Sequence, residues 1–197
     1  MIPRSVCGIS RVAHANGCLR GIQVKVRVTI SVQGKRRPRH SVYSVMLDTH
    51  RHQAYSGAMD DTARVWDLRT GTCRYVLKGH VSLVGLLSLS PSYLVSASAD
   101  ATLRVWNPDT GELVHTFDHR TGAVTAVAHD EHKVVSGAEG SLKLWDIRSG
   151  ALVRKLLTDI TGVWQVALEG RWCVAATNRA NKTMLEIWDF DFAEKKA

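Results

Sequence analysis

Residues 96–111 read SASADATLRVWNPDTG, and the phrase returns in altered form along the chain. Residues 56–71 are SGAMDDTARVWDLRTG, residues 136–150 are SGAEGSLKLWDIRSG, and residues 175–190 are a looser copy, AATNRANKTMLEIWDF. The tryptophans that punctuate them, Trp66, Trp106, Trp145 and Trp188, stand 40, 39 and 43 residues apart. A period of about 40 residues closing on Trp-Asp or its variants marks a four-stranded β-propeller blade. The expected fold is therefore all-β, a partial β-propeller of about four antiparallel blades.

Blade two has the clearest strand pattern. Strand a is expected at Val84–Leu89, strand b at Tyr93–Ser98, strand c at Leu103–Trp106 and strand d at Glu112–Phe117. The turns between strands c and d, DLRTG, NPDTG and DIRSG, each open on Asp or Asn and close on Gly. The Asx side chain bonds the turn backbone, and Gly takes the left-handed conformation where the next strand starts. Blade four stops after Trp188, Asp189 and a short FDF segment, so it is expected to lack strand d.

The same blade gathers His80, Ser96, Asp100 and Trp106, a set that invites a hydrolase reading. Recurrence argues against it, because Ser56, Asp60 and Trp66 repeat the pattern in blade one. A catalytic set needs to occur once, whereas a structural one occurs in each repeat. The expectation is a buried relay from Trp to Ser to His to Asp, with its serine unavailable as a nucleophile. Blade three offers Ser136, Glu139 and Trp145, with His119 one residue early and Glu139 in the Asp place. Blade one has Pro38 where Gly-His would begin, with His40 two residues late. Blade four has Ile160 in place of the histidine. No nucleophile–base pair stands outside these sets, so neither catalysis nor a cofactor is expected.

Of the 197 residues, 45% are hydrophobic, enough to bury a core. Cys7, Cys18, Cys73 and Cys173 follow no metal-ligand spacing and fit a reducing compartment, nucleus or cytoplasm. The net charge of +8 is localised: residues 1–47 hold nine Lys/Arg and no acid, and the repeats are nearly neutral. Residues 1–39 form an atypical basic arm, residues 40–192 the half-propeller and residues 193–197 a tail. The arm fits a presequence, a nucleic-acid arm at Lys35, Arg36, Arg37 and Arg39, a wrongly joined segment, or the remnant of an upstream blade. It contains one strand near 23–33, where Val24, Val26, Val28, Ile30 and Val32 alternate with polar residues.

The repeats resemble the WD-repeat family. The runs through LVGLL (residues 83–87) and ITGVWQV (residues 160–166) resemble the last blades of the fungal cell-division-control-protein-4 type of F-box/WD-repeat protein. Over residues 41–192 that resemblance implies part of an eight-bladed ring in a substrate receptor of an SCF ubiquitin ligase. Such receptors capture phosphorylated degrons on the top face through arginines. Here the corresponding positions hold Met59, Ala99, Tyr43, Gly85 and Thr125, none able to grip a phosphate bidentately. No F-box is expected within residues 1–39.

Arg64 and Arg104 on strand c are read as solvated strand-edge residues. Trp164 and Trp172 are read as inter-blade core, while Tyr43, Met59 and Trp164 are kept as candidates for a top-face binding surface. The leading expectation is a non-catalytic protein-interaction module whose partners, by resemblance, are phosphorylated ubiquitination substrates. The alternatives are a WD-repeat scaffold in another complex and a nucleic-acid-associated protein acting through the arm. Two uncovered blade faces predict self-association, with the arm strand available to an open sheet edge.

Overall fold

The computed structural model describes residues 41–191 and, within the arm, two backbone strands. Those are β1 (Gly8–Val12) and β2 (Lys25–Thr29), which pair antiparallel as a sheet of their own. β2 falls within the arm strand expected near 23–33, and the rest of that span lies outside the described residues. Among the described residues its partner is β1, a strand sequence reading missed, and neither strand joins blade four or an edge of blade one. The residues around Pro38 and His40, and the tail at 193–197, lie outside the described residues.

Blade one is β3 (Val42–Asp48), β4 (Gln53–Ala58), β5 (Ala63–Asp67) and β6 (Cys73–Leu77). Blade two is β7 (Val84–Leu89), β8 (Leu94–Ser98), β9 (Thr102–Trp106) and β10 (Leu113–Asp118). Blade three is β11 (Val124–His129), β12 (Lys133–Ala138), β13 (Gly140–Asp146) and β14 (Leu152–Ile160). Blade four is β15 (Gly162–Glu169), β16 (Trp172–Arg179) and β17 (Lys182–Asp189), a three-stranded sheet. Each blade is a meander with its strands in sequence order, and all pairs are antiparallel.

The turns from strand c to strand d follow from their Asx-Gly chemistry. Asp67 Oδ1 accepts the backbone N–H of Arg69 and Thr70 at 2.8 and 2.9 Å. Asn107 and Asp146 do the same for the two backbone N–H groups that follow in their own turns. Gly111 closes its turn at φ 75°, which a side chain rarely adopts.

One packing rule joins the blades. The small next-to-last residue of strand b, Gly57, Ala97 or Gly137, faces the first valine of the next blade's strand a. A Cβ on Gly57 would lie 2.9 Å from Val84 Cγ1, and one on Gly137 would lie 2.6 Å from Val163 Cβ. Around that contact each blade sends inward the strand-b residue before the serine and two strand-c residues. Tyr55, Ala63 and Val65 meet Val84, Leu87 and Trp106, while Val95, Leu103 and Val105 meet Val124 and Trp145. Val135, Leu142 and Leu144 meet Val163, Val166 and Cys173. These three apolar seams are the core, and burying them drives the stacking.

Polar stitches fix the rotation of one blade on the next. Arg51 bonds Asp48 at 2.8 Å within blade one, and reaches Asp109 at 2.8 Å and the Pro91 carbonyl in blade two. Thr125 Oγ1 donates to the Val163 carbonyl at 2.7 Å. Among the described residues, no helix is long and apolar enough to cross a membrane.

Candidate functional site

The four residues singled out in blade two form one continuous network. Trp106 Nε1 donates to Ser96 Oγ at 2.8 Å, and Ser96 Oγ lies 2.9 Å from His80 Nε2. His80 Nδ1 lies 3.0 Å from Asp100 Oδ2, an acceptor that also takes the Val81 N–H at 2.9 Å. Thr102 donates its hydroxyl to Asp100 Oδ1 at 2.6 Å. With Asp100 ionised, its contact with His80 places the imidazole proton on Nδ1, leaving Nε2 to accept from the serine.

The order Ser, His, Asp matches a hydrolytic triad, yet the environment forbids that chemistry. Ser96 is completely buried, and its oxygen already accepts the indole N–H, so no substrate carbonyl reaches it. Burial pushes the His80 imidazole below its ordinary pKa against the pull of Asp100. Burial raises the Asp100 carboxyl, but hydrogen bonds from Thr102, Val81 and His80 outweigh it and hold the group down to about 2. A neutral buried histidine beside a firmly ionised carboxylate ties the d–a loop to strands b and c.

The other blades keep part of this set. In blade one Trp66 Nε1 donates to Ser56 Oγ at 2.9 Å, and Asp60 bonds Thr62 and Arg64 instead of a histidine. In blade three Trp145 Nε1 donates to Ser136 Oγ at 2.8 Å, but His119 bonds Thr121 Oγ1 at 2.7 Å and the Ser136 carbonyl at 3.2 Å. Glu139 is exposed and outside that network, because the shortened b–c turn does not carry it back to the histidine. Lys143 fills the space instead, its buried ammonium donating to the His119 carbonyl. In blade four Ala175 occupies the serine's register position opposite strand c, so Trp188 has no such acceptor there.

Two expectations need correction. Arg64 and Arg104 are not solvated edge residues, since β5 and β9 are interior strands. Arg64 pairs with Asp60 at 2.9 Å, and Arg104 Nη2 donates to the Gly79 carbonyl at 2.8 Å. Trp164 and Trp172 are not inter-blade core either: they are 68% and 46% exposed. Trp172 stacks instead under the Arg171 guanidinium, 4.8 Å from its ring centroid.

The candidate top-face positions share one backbone device. Strand a is bulged directly after its first valine in each blade, between Val42 and Ser44, Val84 and Leu86, Val124 and Ala126, and Val163 and Gln165. A bulge re-aims the extra side chain. The residues so placed are Tyr43, Gly85, Thr125 and Trp164, small in the middle blades and aromatic in the outer two. Tyr43 is 54% exposed, and Met59, at the start of the neighbouring b–c turn, is exposed too. Sequence reading left out two cations nearby. Arg120, before strand a of blade three, pairs with Asp118 at 3.1 Å, and Arg179, ending β16, donates to the Thr158 carbonyl at 2.7 Å. Arg120 stands on a loop that the strand pattern did not align, and Arg179 is the last residue of its strand.

Comparison with known proteins agrees with this architecture. The model of the WD domain, G-beta repeat family matches residues 32–67, 71–107 and 111–146. The chain is 39% identical over 171 residues to Regulator of rDNA transcription protein 13 of Saccharomyces cerevisiae, covering 76% of this chain and 92% of that relative. It is 46% identical over 155 residues to Cell division control protein 4 of Candida albicans, covering 76% of this chain and 23% of the relative. F-box/WD repeat-containing protein sel-10 of Caenorhabditis elegans is 32% identical over 163 residues, with 76% and 28% covered. The chain therefore spans about a quarter of the length of those last two relatives. Among solved structures, the computationally designed Ika4 protein superposes with a TM-score of 0.70 at 28% identity, covering 81% of this chain and 95% of that one. The designed Ika8 protein gives 0.69 at 26% identity, covering 96% of this chain and 57% of the other. Repeat phrases, blade topology and these matches agree: the chain belongs to the WD40 repeat family, as a protein-interaction module related to the F-box/WD proteins of the Cell division control protein 4 type.

Proposed function

We propose that residues 40–192 act as a non-catalytic binding module corresponding to the C-terminal blades of an SCF ubiquitin-ligase substrate receptor, working in nucleus or cytoplasm. The observation that carries this reading is the 46% identity to Cell division control protein 4 across three quarters of the chain. The module contacts its partner through Tyr43, Met59 and Trp164 on the top face. Aromatic side chains supply large contact area at little conformational cost. Because the family's phosphate-gripping positions hold Met59, Ala99, Tyr43, Gly85 and Thr125, recognition does not depend on phosphate. Fluorescence polarisation with a doubly phosphorylated degron peptide tests this, and weak binding insensitive to phosphatase is the expected result. Submicromolar affinity that disappears on dephosphorylation overturns it and points to Arg120 and Arg179.

A second reading is favoured by the match that spans 92% of Regulator of rDNA transcription protein 13. In it the chain is a scaffold in a complex acting on rDNA transcription, with the basic arm near nucleic acid. Binding through the arm would weaken steeply as salt rises.

A further inference from the structure

Among the described residues, the inter-blade rule leaves two half-interfaces unmatched, and each is the complement of the other. Blade four presents the receiving half. Ala176 holds the register position of Gly57, Ala97 and Gly137, opposite the bulge of its own strand a. Ile187 holds the position of Val65, Val105 and Leu144, and Leu185 that of Ala63, Leu103 and Leu142. Those six counterparts are 0–8% exposed, whereas Ile187 is 64% and Leu185 71% exposed.

Blade one presents the inserting half. Val42 is its first strand-a valine, the counterpart of Val84, Val124 and Val163. Val45 is the counterpart of Leu87, Val127 and Val166, each packed into the seam with the preceding blade. Val45 is 65% exposed. Blade one's free face therefore carries the shape that blade four's free face is built to receive, in a register already used three times within the chain.

We propose that the 197-residue chain associates head to tail with a second copy, blade one of each packing on blade four of the other. Two such contacts close a ring of eight blades. This inference rests on the WD40 reading, but its test involves no partner protein and so stands apart from the binding reading above. Two observations and one rule of symmetry favour a second copy as occupant. The two faces match within one chain, so no other sequence is required. A heterologous interface either closes into a ring or propagates. The match also covers 95% of the designed Ika4 chain, and a match over 96% of this chain covers 57% of Ika8, so the chain as a whole has the extent of little more than half of a larger solved chain.

In the interior seams the counterparts of Ile187 and Val45 share one apolar cluster each time, so these two side chains meet across the new contact. Sedimentation of the full chain at micromolar concentration should give a dimer. Ile187→Lys alone and Val45→Asp alone should each give monomer, weakening association on the order of a hundredfold or more by burying an unpaired charge. Mixing the two variants should restore a heterodimer, because one interface then holds the Lys–Asp pair and the other is unaltered. Near-UV circular dichroism of each variant separates lost association from lost folding, and recovery in the mixture does so independently. A monomeric wild-type chain, a dimer indifferent to Val45→Asp, open-ended polymers, or failure of the mixture to recover would each overturn the proposal.

Discussion

Ser96 shows how much a single hydroxyl settles. It stands at a place where nucleophile, base and carboxylate are all present, yet it is completely buried and its oxygen joins the indole N–H of Trp106 to the His80 ring. The residue thus serves stability. Trp106→Phe keeps most of the aromatic volume but strands the Ser96 oxygen, and should destabilise by about 1–3 kcal/mol. A urea midpoint equal to that of the wild type would show that the indole bond contributes nothing. At this scale the sequence was legible where residues repeat in type and spacing: the Ser and Trp of blades one to three emerge bonded as their recurrence suggests. Glu139 was not legible. A carboxylate one turn residue short of its place cannot reach the imidazole, and that difference in reach is three-dimensional.

Among the elements, strand b of each blade is set by what approaches it from outside. Gly137 is small because Val163 of the next blade lies where its side chain would be. Gly137→Ala should therefore cost about 2–3 kcal/mol through overpacking. Gly170, at φ 56° with nothing within 4 Å of an added Cβ, isolates the backbone effect: Gly170→Ala should cost about 1 kcal/mol. Equal losses of thermal stability in the two variants would contradict the close-approach argument. Strands and turns were readable because alternation and Asx-Gly chemistry act within a few residues. The arm shows the opposite case. Its alternating valines announced a strand, but alternation does not name a partner, and β1 lacks such a pattern.

For the whole molecule, burial sets the response to pH. His80, His119 and His129 all have lowered pKa values with burial as the leading cause, His119 falling to about 4. Below about pH 6.5 the unfolded chain takes up protons at these sites and the folded chain resists, so the unfolded state binds more protons. Stability should then be greatest above pH 6.5 and fall progressively towards pH 4. For His119 alone the loss is on the order of 1–3 kcal/mol. Urea unfolding at pH 7 and pH 5 tests this, and an unchanged midpoint would refute it. Sequence alone sufficed for the repeat and for the four blades among the described residues, because each is written in short-range periodicity and turn residues. Only the tertiary structure decided which apolar residues are core. Ile187 and Leu144 occupy the same register position on strand c, yet Ile187, on the outermost strand of its sheet with no blade against it, is exposed and Leu144 is buried. A side chain's burial depends on whether another blade stands against its face, and that neighbour is not encoded in the strand itself.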